Sequence, residues 1–232
     1  MAANWEPVKR TRTFEDVLAR IEQRIAEDGL KPGDRLPGER QLAEQLRVGR
    51  SSVREALRVL ETLGVVSSQA GRGPDAGAVL TSRPDSPLTD LLRLHLGLTG
   101  LELREVIETR LMIEQFAAAN AARRGDAELS ALDDAVAAME RARTAEEFVA
   151  GDIAFHCAIA DASGNRLIAA FMRSLRDSAR RYAVEAVERL ADTSVLRADH
   201  RRILAAIRSG DPEEAARAVA DHLRHAYPAL FA

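Results

Sequence analysis

The stretch Arg50-Ser51-Ser52-Val53-Arg54-Glu55-Ala56-Leu57-Arg58-Val59-Leu60-Glu61-Thr62-Leu63-Gly64 decides how the N-terminal part folds. Val53, Ala56, Leu57 and Leu60 recur at i, i+3, i+4 and i+7, which is one face of an α-helix, and Gly64 is its natural stop. Upstream, Phe14, Val17, Leu18, Ile21 and Ile25 predict an amphipathic helix over about 14–28, closed by Gly29, Pro32 and Gly33. A short helix from Glu39 to Leu46 follows, with Leu42 and Leu46 four apart, and Arg47-Val48-Gly49 turns the chain into the quoted stretch. Downstream the period changes. Val65-Val66 and Ala78-Val79-Leu80 are β-prone and are separated by Gly71, Gly73, Pro74 and Gly77, which predicts a hairpin.

Three helices followed by a hairpin predict a winged helix-turn-helix, a fold that lays its third helix in the major groove of DNA and its second across the backbone. The arginines sharpen this reading. Arg50 opens the third helix and Arg54 lies one turn on, away from the apolar stripe, so both can reach outward. Arginine can take guanine O6 and N7 together or clamp a phosphate, and Ser51 and Ser52 place hydroxyls near a helix N-terminus that favours anions. The alternative is a merely solvated polar face.

The 232 residues allow one or two domains. The segment 81–87, Thr81-Ser82-Arg83-Pro84-Asp85-Ser86-Pro87, holds two prolines and no large apolar residue, and is expected to be a linker between a DNA-binding domain at 1–80 and a second domain at 88–232. From Leu88 onward the pattern is helical throughout, with Thr144/Glu147 as a capping box and Asp211-Pro212 as a helix start. The expected fold is therefore mainly α, with a C-terminal bundle of six or seven helices. Residues 1–80 carry 13 basic and 12 acidic side chains and 81–232 carry 20 and 24, a balance too even to argue for DNA without the positions. The lone Cys157 rules out an intramolecular disulfide and a cysteine zinc cage. With no apolar run of membrane length and no secretory leader pattern, the expected location is cytoplasmic, with no membrane partner.

Within the second half, Asp152 and His156 are four apart and share a helical face, beside the apolar Ile153, Phe155 and Ile159. His200 precedes Ile203-Leu204, and His222 lies between Val219 and Leu223. Helical bundles build metal sites from inward side chains of this kind, and three imidazoles with one carboxylate suit a divalent ion, zinc first, with nickel or manganese as alternatives. A helical histidine is also commonly an ordinary core or surface residue, and Asp152 with His156 could be a simple hydrogen bond. Arg110 and Glu114, four apart, could be a helix-surface ion pair, and Asn165 could be a helix cap.

The N-terminal residues resemble the GntR family of transcriptional regulators over 14–80, through Gly29-Leu30-Lys31-Pro32-Gly33-Asp34-Arg35-Leu36-Pro37, Glu39-Arg40, Leu42-Ala43, Val53-Arg54-Glu55-Ala56-Leu57 and Leu60-Glu61. The resemblance implies that Arg40, Arg50 and Arg54 contact operator DNA, that Ser51 and Ser52 reach its backbone, and that a wing around Gly71 and Arg72 approaches the minor groove. Gly38 and Gly49 stand where the family usually has Ser or Thr, Arg47 replaces a common turn glycine, and the wing is longer than usual. Residues 88–228 look like the FCD ligand-binding domain of the FadR subfamily, through Asp152-x-x-Phe155-His156, Ser163-Gly164-Asn165, His200-x-x-Ile203-Leu204 and His222-Leu223. This implies that Asp152, His156, His200 and His222 hold one metal ion and points away from fatty-acyl ligands. It implies that Arg110, in Glu108-x-Arg110-x-x-x-Glu114, meets an effector carboxylate, and that Asn165 lies by the pocket. His95 and His225 match no ligand position and are expected at the surface or in packing.

Together these readings predict a transcriptional regulator, with repression expected over activation. It would form a homodimer, bind double-stranded DNA at an inverted repeat, and respond to a small carboxylate held beside a metal. Two alternatives are a metal-responsive regulator with no organic effector, and a metal-dependent hydrolase or lyase fused to a DNA-binding head, for which no motif supplies a general base.

Overall fold

The computed structural model describes residues 13–68, 78–81, 85–98, 102–125, 128–190 and 192–231. The chain divides into two compact units, residues 1–87 and 88–232.

In the first unit, α1 (Thr13–Glu27), α2 (Glu39–Leu46) and α3 (Arg50–Thr62) precede β1 (Val66–Ser68) and β2 (Ala78–Leu80). The strands pair antiparallel, with Val66 opposite Leu80 and Ser68 opposite Ala78. The segment entering α2 lines the other edge of β2: Leu36 N–H donates to Ala78 O at 2.9 Å and Gly33 N–H to Leu80 O at 2.8 Å. Val17 and Ile21 of α1, Leu42 of α2, Val53, Ala56 and Leu60 of α3, and Val66 and Leu80 of the hairpin form one buried cluster. Truncating a residue such as Leu60 to Ala in such a cluster costs about 2–5 kcal/mol.

Left-handed residues close α2 and α3. Gly64 (φ 67°) ends α3, with Gly64 N–H on Glu61 O and Val65 N–H on Leu60 O, the paired bonds that satisfy a helix's last carbonyls. Arg47 ends α2 in the same way at φ 53°, a conformation a side chain disfavours. The hairpin tip that would carry Gly71 and Arg72 lies outside the described residues.

The second unit comprises α4 (Asp85–Gly97) from Leu88 onward, α5 (Leu103–Arg124), α6 (Ser130–Arg141), α7 (Ala145–Ala162), α8 (Arg166–Ser178), α9 (Arg180–Glu188), α10 (Ser194–Arg208), α11 (Pro212–Ala226) and α12 (Pro228–Phe231). These are nine helical segments among the described residues. Ala179 ends α8 and begins α9, so the two are one run broken at a single residue, and α12 is a single turn. Counted as full helices, seven remain.

Helix α4 starts at Asp85, inside the segment expected to be a linker. Pro87 does not prevent this, because an N–H in a helix's first turn has no intrahelical acceptor to lose. At the start of α7, Thr144 Oγ1 accepts from Glu147 N–H as expected, while the Glu147 carboxylate turns to Arg143 N–H at 2.7 Å rather than closing a box on Thr144.

The core of this unit joins α5, α6, α7, α10 and α11 through Ala118, Leu132, Met139, Phe148, Phe155, Ile203, Val219 and Leu223. Small residues let the helices approach closely. A Cβ on Gly151 would lie 2.7 Å from Met139 Cγ, so the absence of a side chain there sets the distance of α7 from α6 one residue before Asp152.

Candidate metal centre and nucleic-acid interface

Helix α7 carries Asp152 and His156 on one face, α10 carries His200 and α11 carries His222. All four are buried, and one ligand atom from each lies within 4.8 Å of the others. Asp152 Oδ1 is 2.9 Å from His200 Nε2, 3.4 Å from His156 Nε2 and 3.6 Å from His222 Nε2. His156 Nε2 and His222 Nε2 face one another at 3.2 Å. One carboxylate oxygen cannot satisfy three ring nitrogens in a dry interior. A tetrahedral ion with ligand bonds of about 2.0–2.1 Å separates its ligands by roughly 3.3 Å, the range seen here. The donor set therefore fits a divalent metal.

Around this cluster lies a buried charge network. Arg176 of α8 bonds Asp152 Oδ2. Burial pushes the Asp152 carboxyl up, but Arg176 and then His156 outweigh it and hold the group well below the usual carboxylate range. On α5, Arg110 Nε donates to Glu114 Oε1 at 2.7 Å, and Arg110 Nη1 reaches the Tyr227 hydroxyl at 3.4 Å. Arg110 and Glu114 are each 1% exposed, so their pairing is an interior one and the surface-pair alternative is set aside. Burial opposes the charge on Glu114, yet Arg110 and then His156 keep it ionised.

Glu114 Oε2 stands 2.6 Å from His156 Nδ1, close but out of line for a hydrogen bond. The His200 ring is held edge-on by Phe155, with centroids 5.0 Å apart. Burial, then His222, lowers His200 to about 4, while burial also opposes charge on His222 but the nearby carboxylates of Asp152 and Asp199 outweigh it and raise His222. Two imidazoles at one site are thus driven apart in basicity.

Arg110, Asp152, Arg176 and His222 line a cavity of about 20 Å³ together with Phe148, Val149, Leu196, Tyr227 and residues of α9. That volume is room for about one water. Asn165 is placed elsewhere. It is the exposed N-cap of α8, its Oδ1 accepting from Leu167 and Ile168 N–H at 3.1 and 3.2 Å, and it lines no part of this cavity. Helix capping, the alternative noted for it, accounts for its geometry.

Sequence reasoning missed Arg176, Tyr227 and Asp199. Arg176 sits on the buried face of a strongly amphipathic helix and has no sequence spacing to a ligand. Asp199 adjoins His200 in sequence yet faces α11, where its Oδ2 accepts from His225 Nδ1 at 2.8 Å. His225 is half exposed and His95 exposed.

In the first unit, α3 buries Val53, Ala56 and Leu60 and leaves Arg50, Ser51 and Arg54 exposed, with Ser52 half-buried. Arg54 is not loose. Its Nε and Nη2 bond Glu39 Oε2 of α2 at 3.1 and 2.9 Å, and the bond to Glu39 raises its pKa. Arg40 pairs with Glu44 at 3.3 Å. Gly38 and Gly49 cap α2 and α3 without a side-chain bond.

A winged-helix unit in one chain with a helical unit built around an Asp-His cluster defines a class, the two-domain regulators that read DNA and sense a small molecule. Residues 13–74 match the description "Bacterial regulatory proteins, gntR family" and residues 105–225 match the FCD domain. The chain belongs to the GntR family, with an FCD domain, and is a DNA-binding transcriptional regulator responsive to a small-molecule effector.

It is 32% identical over 207 residues to the HTH-type transcriptional regulator LutR of Bacillus subtilis (strain 168), spanning 84% of this chain and 90% of that protein. It is 32% identical over 231 residues to the HTH-type transcriptional repressor NanR of Cronobacter sakazakii (strain ATCC BAA-894), spanning 95% and 86%. A solved structure described as Streptococcus agalactiae GntR superposes with a TM-score of 0.66 at 27% identity, covering 93% of this chain and 99% of that one. Among the described residues no helix is long and apolar enough to cross a membrane.

Proposed function

We propose that the protein is a cytoplasmic, homodimeric repressor whose affinity for an inverted-repeat operator is set by a small organic acid bound beside a divalent metal. The convergence of Asp152, His156, His200 and His222 with two buried guanidiniums, Arg110 and Arg176, carries this reading. Zinc suits a site of three imidazole nitrogens and one carboxylate, with nickel or manganese as the other candidates. The metal would anchor the acid and Arg110 would pair with its carboxylate, in a dry site where such a bond is strong. Repression is supported by the NanR relatives, which are named repressors.

Several surfaces fit the rest. Arg50 and Arg54 would read bases or phosphates from the major groove, with Arg40, Ser51 and Ser52 on the backbone and Gly71 and Arg72 at the wing. The Glu39 carboxylate pre-orients Arg54 for that contact. Helices α5 and α8 pack together through Ile113, Ala169 and Met172 and leave Met112, Phe116, Leu167 and Phe171 exposed, apolar surface suited to a second copy of the chain.

The small cavity favours a second reading, in which the metal ion alone is the signal. Titrating operator binding with zinc alone, with zinc and a panel of small carboxylates, and after chelation separates the two. The first reading expects release only when zinc and an acid are both present. Full release or full tightening by zinc alone supports the second. Product formation from those acids would instead support a catalytic site.

A further inference from the structure

The three imidazoles of the cluster differ in what their second nitrogen meets. His156 Nδ1 lies against Glu114, 2.6 Å from Oε2 but out of line, and neither His200 Nδ1 nor His222 Nδ1 makes a hydrogen bond. His222 Nδ1 stands 3.7 Å from Asp199 Oδ2, the same oxygen that accepts from His225 Nδ1 at 2.8 Å. Asp199 is 7% exposed, whereas the His225 side chain is 49% exposed. A buried carboxylate thus lies between an inward imidazole on α11 and an outward one a single turn later on the same helix, bonded to the second and facing the first.

We propose that Asp199 is the positioning carboxylate of His222 and that His225 holds Asp199 in place, so that this pair sets how tightly the four-residue cluster grips a divalent ion. The inference rests on the reading of that cluster as a metal site. A ligating imidazole is fixed in tautomer and ring orientation by what its other nitrogen donates to, and an acceptor there makes it a better donor to the metal. An Nδ1–H of His222 directed at Asp199 would leave Nε2 unprotonated toward Asp152 and His156, which is the form a metal requires. Because one oxygen serves both histidines, His225 acts by limiting the rotation of the Asp199 carboxylate rather than by touching the ion.

The test is zinc affinity of the purified full-length protein, measured by competition with a chromophoric chelator, alongside the melting temperature of the metal-free form. Asp199→Asn is expected to weaken zinc binding about 10- to 100-fold, with Asp199→Glu recovering part of the loss and the metal-free melting temperature little changed. Unchanged zinc affinity in Asp199→Asn overturns the proposal while leaving the metal reading intact.

Should Asp199→Asn also lower the metal-free melting temperature, His225→Gln decides. Severalfold weaker zinc binding in a variant as stable as the wild type supports the proposal, and undiminished binding overturns it. A wild-type protein that retains no zinc contradicts both this inference and the reading beneath it.

Discussion

Arg176 bonds the Oδ2 oxygen of Asp152, whose other oxygen faces all three imidazoles of the cluster. A guanidinium on α8 therefore secures the one carboxylate in the ligand set from behind. Arg176→Ala leaves that carboxylate buried without its guanidinium, and the metal-free protein is expected to lose about 3–5 kcal/mol. A divalent ion supplies the missing positive charge, so zinc should raise the melting temperature of the variant by more than that of the wild type. Thermal melts with and without zinc check this. Equal stability of the two metal-free proteins contradicts the role given to Arg176.

Arg110 offers a different experiment, because its partners are Glu114 and Tyr227 rather than a ligand of the cluster. Arg110→Lys keeps the charge but loses the planar fork that a carboxylate recognises. A charge-assisted hydrogen bond contributes about 1.5–3 kcal/mol, so the acid concentration that releases operator DNA should rise tenfold or more while bound zinc stays the same. Release at the wild-type concentration would remove Arg110 from the effector site.

The helices that carry these residues were legible in the sequence, and the charge network behind them was not. Periodicity located α1 to α3 and the hairpin because each buries a clean apolar stripe. Asp152 and His156 stood out because i, i+4 spacing on a helix forces them to one face. His200 and His222 were joined to that pair only through their apolar helical neighbours, a weak signal that the resemblance strengthened, since nothing in linear spacing says that α10 and α11 pack beside α7. Arg176 and Asp199 act across helix contacts with no sequence periodicity. Glu114 was visible as the partner of Arg110, but burial, the property that makes the pair matter, depends on α5 lying at the centre of the bundle. Asn165 sits where the family motif puts it and serves as a helix cap.

The buried titratable groups predict how the chelated protein responds to acid. His200 is lowered to about 4, so the unfolded chain, titrating near 6.5, takes up its proton first. Its contribution to stability is whole above pH 6.5 and is lost as pH falls toward 4. Glu114 and Asp152, held below their ordinary values of 4.5 and 3.8, add further losses as pH falls through those values. His222 is raised and works the other way, its contribution being whole below 6.5 and lost as pH rises through its folded value. Melting temperature of the metal-free protein should thus fall steadily from pH 6.5 to 4. Zinc should be released in the same window, because its ligands must be deprotonated. A melting temperature that stays level down to pH 4 would contradict the burial of His200.

At the other end of the chain, Arg47 holds φ 53° while Val48 N–H closes on Ala43 O at 3.1 Å. Glycine occupies this conformation without the clash that a Cβ meets, so Arg47→Gly should stabilise the protein by about 1 kcal/mol. Denaturant melts of the full chain give the answer. No gain, or a loss, would mean that the exposed Arg47 side chain contributes packing or charge that outweighs the strain.

The central claim, that the arginine face of α3 reads DNA under control of the helical unit, is tested most directly by binding to duplexes. Purified protein is titrated with a fragment of its own promoter and with a scrambled duplex of equal length, at about 0.15 M salt where non-specific attraction is screened. Clear preference for the promoter fragment is expected. Arg50→Ala should lose about 1–3 kcal/mol of that preference if Arg50 contacts a base, and zinc with a small carboxylate should abolish it. Equal affinity for both duplexes, unaffected by zinc and by acids, would contradict the central claim.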